Sequence, residues 1–199
     1  MVRDWLVNGV RQPVLNAAPG DRVRLRLINV ADAGIVDLRG DDLSVIAFDQ
    51  GLLAAERRTN QVVLAPGDRA EVAWTLDAQP VALNSAPYSL NGGPALGPEA
   101  ALLRLDPNGL AHPPEPLFWP FPGGRPSLDP GHTEALFAFT GSDRTGRWRI
   151  NGEAYPNITI QRVALDQPAI LDVRNLSPTE HPFHLHGMPF EVLSINGVA

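Results

Sequence analysis

Three of the five histidines lie within six positions near the carboxyl end, in a segment that reads HPFHLHG from His181 to Gly187. Neutral imidazole is the commonest side-chain metal ligand, and both copper and zinc accept it. In a strand, residues two apart point to the same face, so His184 and His186 would project together with Cα atoms about 6.6 Å apart. That gap lets the pair converge on one ion or hold two neighbouring ions, and the spacing leaves both open.

His181 lies outside this pair. Pro182 keeps the preceding backbone extended and has no N–H donor, so the His181 ring is available for a separate site. Three partly buried imidazoles so close together would suffer desolvation and mutual repulsion if charged, and a metal ion removes that cost. The cluster therefore predicts a metal site at His181, His184 and His186. The isolated His112 and His132 are interpreted as ordinary polar residues with satisfied hydrogen bonds.

The bulk composition excludes several classes of function. A net charge of −6 with interspersed acids and bases argues against nucleic-acid binding, and no stretch approaches the ~18 apolar residues of a membrane span. The 44% hydrophobic content is enough for a core. The chain has no cysteine, which excludes disulfides and thiolate ligands within it. The sequence identifies no acid–base or nucleophilic catalytic residue and no site for an organic cofactor.

Short β-rich runs bounded by Gly, Pro, Asn or Asp dominate the chain, and none has a sustained period of 3.6 residues. Val23 to Ile28 alternates apolar and basic residues, as a half-buried strand does. Similar runs are 61–64, 70–76, 148–150, 169–173 and 190–195. The pattern predicts an all-β protein of the antiparallel β-sandwich class.

The same unit occurs twice. Trp5 to Gly9 matches Trp148 to Gly152, and each runs into an Asn-Gly pair, a strong hairpin signal. An alternating strand follows in each copy, ending at Asn29 and Asn175. Residues 37–46 then align without gaps on 184–193, so that apolar positions match (Leu38 with Leu185, Leu43 with Phe190, Val45 with Val192).

The histidines have no counterparts in the first copy. His184 aligns with Asp37, His186 with Arg39 and His181 with Gly34. One copy thus carries the predicted ligands and the other only the scaffold. Because the scaffold copy has charges at two of these positions, we expect them to lie on an open face and not in the core.

Three regions are predicted. Residues 1–105 form a first domain, the better folded part, and residues 106–132 form a proline-rich linker whose aromatic patch at 117–121 straps it to a domain surface. Residues 133–199 form a second domain that is cut short. We expect its unpaired edges and apolar face to seek a partner, which is the missing remainder of a longer protein, the first domain or a second copy of the chain.

The segment from His181 to Gly187 resembles the first copper motif of the third cupredoxin domain of multicopper oxidases, the laccase-like enzymes. Residues 150–152 before it and 190–193 after it fit the same domain. The first copy, with Leu6 to Gly9, Arg24 to Asn29 and Leu64 to Arg69, resembles the copper-free middle domain. The resemblance implies a cupredoxin-like Greek-key β-sandwich, one near-complete domain plus a truncated one.

The resemblance also implies residue roles. His181 would be a ligand of the type 1 copper, His184 of the type 2 copper, and His186 of a type 3 copper. In the family, the type 1 copper takes electrons from a small reducing substrate such as a phenol, an aromatic amine or a metal ion. The type 2 and type 3 coppers reduce dioxygen to water. Family members are often periplasmic or extracellular.

The chain also departs from the family pattern. It has neither the two His-x-His motifs of the first domain nor the His-Cys-His motif of the third, and without cysteine there is no thiolate for a blue-copper site. We therefore expect it to be the middle domain plus the front of the third, inactive alone. The alternatives are a non-catalytic cupredoxin scaffold or assembly protein of the same lineage, and a simple mononuclear histidine site for zinc or copper.

Overall fold

The computed structural model describes residues 5–32, 34–49, 51–89, 95–97, 99–114, 132–142, 145–188 and 190–198. No helix occurs among them, so the predicted all-β class is confirmed, and none of this described chain forms a helix long and apolar enough to cross a membrane. The strands are β1 (Val14–Ala17), β2 (Arg22–Ile28), β3 (Val36–Phe48), β4 (Gly51–Leu64), β5 (Arg69–Thr75), β6 (Val81–Ala86), β7 (Tyr88–Ser89), β8 (Ala95–Leu96), β9 (Ala100–Pro107), β10 (Thr133–Ser142), β11 (Trp148–Ile150) and β12 (Ala169–Asn175).

Two compact units share these strands. One contains the described residues of 1–89, 94–122 and 184–199, and the other those of 90–93 and 123–183. In the first unit, seven strands form one sheet in the order β1-β9-β6-β3-β5-β2, with β4 paired to β3. In the second, β10 lies between β11 and β12, antiparallel to the former and parallel to the latter. The predicted boundaries at 105 and 132 remain a proposal.

Strand β3 curls the larger sheet. Its first part pairs with β6 through Asp37 to Arg39, and its second part pairs with β5 from Ser44 onward. The register breaks between Arg39 and Leu43, where Asp42 has a positive φ of 53°. Such an irregularity bends a strand and increases its twist, so one strand serves both halves of the sheet.

The packed core belongs to the first copy. Its cluster of buried hydrophobic residues lies between Val36 and Leu105, with Leu43, Val45 and Leu105 fully buried. Among the described residues beyond 105, only Ala135 is a buried hydrophobic residue, while Trp148, Tyr155 and Ile160 are more than half exposed. Among the described residues, buried hydrophobic side chains are therefore concentrated in the first copy.

Three of the five Asn-Gly pairs, at residues 8–9, 151–152 and 196–197, form the same turn. Asn8, Asn151 and Asn196 have φ of 52–53°, and the glycines that follow them have φ of 77–79°. Positive φ at both central residues defines the type I′ hairpin turn. Each turn is closed by a bridge between its flanking residues, such as Ile150 with Glu153, so the hairpin signal in the sequence was correct.

One predicted strand is absent. Residues 190–195, and the histidine segment before them, are not in a strand, apart from the isolated bridge of Ile195 to Val198. The alternation of apolar residues was read correctly, but a strand also needs a hydrogen-bonded neighbour, and no described segment pairs with this one. The aromatic patch at 117–121 lies outside the described residues.

Candidate metal centre

His184 and His186 project together, as their spacing predicts. Their ring centroids are 4.6 Å apart and the ring planes are almost perpendicular, at 89°. Both side chains are exposed, and neither ring has a hydrogen-bond partner among the described residues. The pair therefore offers accessible imidazole nitrogens on one side of the chain.

The matching positions in the first copy are occupied differently. Asp37 is buried at 3% exposure, although we expected an open face there. Arg39 donates Nε to Oδ1 at 2.9 Å and Nη2 to Oδ2 at 2.7 Å, and Gln61 Nε2 lies 3.0 Å from both carboxylate oxygens. This expectation was wrong for Asp37, because a paired carboxylate can be buried where an unpaired one cannot. It holds for Arg39, whose side chain is 47% exposed.

His181 lies in the second unit, among aromatic side chains. Its ring stacks on that of Phe139, with ring centroids 5.4 Å apart and an angle of 19° between the ring planes. It meets the Trp148 ring edge-on, with centroids 5.0 Å apart. Its Nε2 lies 2.7 Å from Ser177 Oγ and 3.4 Å from Thr179 Oγ1. The ring is half-buried. The two aromatic rings and the hydrogen bond at Nε2 together fix its orientation.

The loop that carries Ser177 is built like its counterpart in the first copy. At the end of β12, Asn175 Oδ1 accepts the Ser177 N–H at 3.0 Å and Asn175 Nδ2 donates to the Thr179 carbonyl at 2.7 Å. After β2, Asn29 accepts the Ala31 N–H at 3.0 Å and donates to the Gly34 carbonyl at 2.7 Å. Sequence reasoning aligned the two asparagines but missed Ser177. The signal was the serine that replaces alanine only in the histidine-bearing copy.

The two isolated histidines have polar partners. His112 Nε2 lies 2.9 Å from Asp21 Oδ1, and this hydrogen bond, together with the Ala18 N–H, lowers the pKa of Asp21. His132 Nε2 lies 3.4 Å from Glu134 Oε1. Both rings thus have carboxylate hydrogen-bond partners, which agrees with their interpretation as ordinary polar residues.

The donor set fits copper only in part. Two exposed imidazoles are suitable ligands for copper or zinc, and His181 is a third. However, the described residues hold no cluster of three or more His, Cys, Asp or Glu side chains that could bind a metal, and the whole chain lacks cysteine. The residues can contribute ligands, but they do not assemble a complete centre by themselves.

Comparisons with known proteins now bear on this geometry. The family model described as multicopper oxidase matches residues 129–199. The multicopper oxidase MmcO of Mycobacterium tuberculosis is 28% identical over 217 residues, covering 97% of this chain and 40% of the relative. The cell division protein FtsP of Pectobacterium atrosepticum is 46% identical over 70 residues, covering 34% of this chain and 15% of the relative.

The fold is shared with solved oxidases. The crystal structure of the McoA multicopper oxidase from Aquifex aeolicus superimposes with a TM-score of 0.78 at 20% identity, covering 96% of this chain and 46% of that one. Residues 129–199 match the multicopper oxidase family model, and the chain shares the cupredoxin-like fold of solved multicopper oxidases. It spans about two fifths of the length of the multicopper oxidase relative and a much smaller share of FtsP.

Proposed function

We propose that this chain is a segment of a laccase-like multicopper oxidase that couples one-electron oxidation of a small reducing substrate to reduction of dioxygen to water. The observation that carries the proposal is the open pair of imidazoles at His184 and His186, within the part that matches the family model. By resemblance, His184 would hold the type 2 copper, His186 a type 3 copper and His181 the type 1 copper.

The chain's own contribution is to bind and orient. His184 and His186 present nitrogens on one side, and the aromatic rings beside His181 exclude water from two sides of that ligand. When bound, copper would supply one-electron transfer and dioxygen chemistry. Because the chain has no cysteine, the thiolate of a blue-copper site must come from elsewhere, and we expect the 199-residue chain to be inactive alone.

The proposal also specifies the substrates, the source of the remaining copper ligands and the cellular location. Dioxygen and a phenol, an aromatic amine or a low-valent metal ion would be the small molecules. The remaining copper ligands would come from the rest of the oxidase or from a second copy of the chain. By family resemblance we place the protein in the periplasm or outside the cell.

Oxygen uptake tests this function. The protein purified from the cells that make it should, once loaded with copper, consume dioxygen in the presence of a phenol and show thiolate-to-copper absorption. His184→Asn or His186→Asn should abolish uptake, while the control His132→Asn keeps it. A copper-loaded native protein with neither absorption nor uptake would defeat the proposal.

A non-catalytic scaffold or assembly role is the second candidate. It is favoured by the 46% identity to a cell division protein over 70 residues. Retention of all three motif histidines argues against it. Under this alternative, native protein would contain no copper, and replacing the three histidines together would leave its cellular role unchanged.

A further inference from the structure

The ring of His181 has two nitrogens, and the network around it determines which one carries the proton. Ser177 Oγ lies 2.7 Å from Nε2, a distance at which either atom can be the donor. A hydroxyl has one hydrogen, whereas a neutral imidazole has one N–H and one bare nitrogen. The tautomer therefore follows from where the Ser177 hydrogen points.

Asn175 fixes that direction. Its Oδ1 accepts the Ser177 N–H at 3.0 Å, and its Nδ2 donates to the Thr179 carbonyl at 2.7 Å. Because both partners are backbone groups with a single possible role, the amide cannot be turned over without losing both bonds. The oxygen of Asn175 must therefore face Ser177.

Ser177 Oγ accepts the Thr179 N–H at 3.2 Å, and the hydroxyl has acceptors within reach for its own hydrogen. Asn175 Oδ1 and the Thr179 carbonyl oxygen each lie 2.8 Å from Oγ. Donation to His181 would leave both of these O···O contacts without a hydrogen, whereas donation to one of the oxygens leaves only the other without one. Ser177 therefore accepts from His181, so the proton resides on Nε2 and Nδ1 is left with its lone pair.

We propose that Ser177, oriented by Asn175, is a positioning residue that locks His181 in the Nε2–H tautomer and thereby presents Nδ1 to a metal ion. The metal-facing part of this inference rests on the proposed function. Partners that hold the second nitrogen of a ligating histidine fix its tautomer and raise its basicity. The first copy has no hydroxyl at this position: the residue two after Asn29 is Ala31, whereas the residue two after Asn175 is Ser177.

Neighbouring contacts hold the serine in place. The backbone N–H of Leu176 donates to the Phe139 carbonyl at 2.8 Å, which ties the loop to β10. A Cβ added at Gly141 would lie 3.3 Å from the Ser177 Cβ, and Gly141 has a φ of +80°. Glycine at this position lets the serine approach β10 closely.

Nitrogen-15 NMR of the 199-residue chain, metal-free and in alkaline buffer, reads the tautomer directly. We expect His181 to be protonated at Nε2, Ser177→Ala to give a mixture of tautomers, and Ser177→Thr to restore the single form. Thr179→Val is the matched control, since its hydroxyl lies 3.4 Å from the ring, and should leave the tautomer unchanged. A single Nε2–H tautomer that persists in Ser177→Ala, or Nδ1–H in the unaltered chain, would overturn the assignment.

Copper addition separates this inference from the proposed function. Cu²⁺ should broaden the His181 ring signals, and the midpoint should move to roughly 10-fold higher concentration in Ser177→Ala. If copper never reaches His181 while the tautomer behaves as expected, the ligand role falls, and with it the metal-facing part of this inference. If copper binds equally well in both proteins, the positioning role falls and the ligand role stands.

Discussion

In the first copy, Asp37 and Arg39 satisfy one another within the sheet, with Gln61 completing the set. At the aligned positions of the second copy, His184 and His186 are exposed and unpaired within the described chain. The first arrangement is closed, because each charge has its partner in the same chain. The second is open, because neutral imidazoles can remain in solvent while their lone pairs stay available.

The same contrast runs through the apolar positions. Val45 is fully buried and its counterpart Val192 is 58% exposed. The duplicated sequence pattern therefore specifies where apolar residues stand, and the surrounding strands decide whether those positions are covered. Scaffold and ligand-bearing copies can share one pattern while burying their apolar residues to different extents.

Matched valine substitutions give the largest expected difference. Val45→Ala removes two fully buried methyl groups and leaves a cavity, so it should lower the free energy of unfolding by roughly 2–3 kcal/mol. Val192→Ala should change it by no more than about 0.5 kcal/mol. Urea unfolding followed by tryptophan fluorescence, to which the buried Trp74 contributes, would measure both losses of stability. Equal losses in the two variants would contradict the contrast between the copies.

The ion pair of Asp37 and Arg39 gives the next largest expected difference in stability. Asp37→Asn removes the carboxylate that accepts two bonds from Arg39, and should cost about 2 kcal/mol. His184→Asn, at the aligned position, should cost less than about 0.5 kcal/mol because nothing in the described fold depends on that ring. Thermal unfolding of the two variants would compare them, and a larger loss for His184→Asn would show that the histidine is structural.

Replacing Asn29 in the first copy should also cost more stability than replacing the aligned Asn175 in the second. Asn29 is 5% exposed and also donates to the Leu64 carbonyl at 2.8 Å, so Asn29→Ala leaves buried backbone groups unsatisfied and should cost about 1–2 kcal/mol. Asn175→Ala, in an exposed loop, should cost under about 1 kcal/mol, since water can replace the lost bonds. Hydrogen exchange of the two loops would check the order.

The smallest expected effect is on acid stability. The His112 hydrogen bond holds the pKa of Asp21 below its ordinary value, so Asp21 stabilises the fold above its unfolded pKa of ~3.9, and this is lost as the pH falls through the lower folded value. Asp21→Asn should therefore flatten the loss of stability below about pH 4. Asp166→Asn, in the turn before β12, serves as the control. If the stability of Asp21→Asn fell with pH below about 4 as steeply as that of the unaltered protein, this account would be contradicted.

Much of the fold was predictable because it depends on local pattern. Strands β2, β5, β11 and β12 and the Asn-Gly turns follow from alternation and from residues that tolerate positive φ. The burial of Asp37 was not predictable, because it depends on Gln61 from the neighbouring strand. Residues 190–195 alternate like a strand, but no described segment pairs with them.

The candidate site divides in the same way. The common direction of His184 and His186 follows from their spacing in an extended chain. The contacts of His181 with Phe139 and Ser177 depend on how the loop after β12 folds back on β10, which spacing does not reveal. The paired asparagines marked this loop in the sequence, and only the structure shows what they hold.

Copper titration of the 199-residue chain, followed by electron paramagnetic resonance, tests the central claim that the second copy carries copper ligands without completing a site. We predict weak Cu²⁺ binding with nitrogen ligands, since a half-built site is not preorganised. The variant with His181→Asn, His184→Asn and His186→Asn together should lose it. Tight stoichiometric binding, or binding that survives in that variant, would contradict the claim.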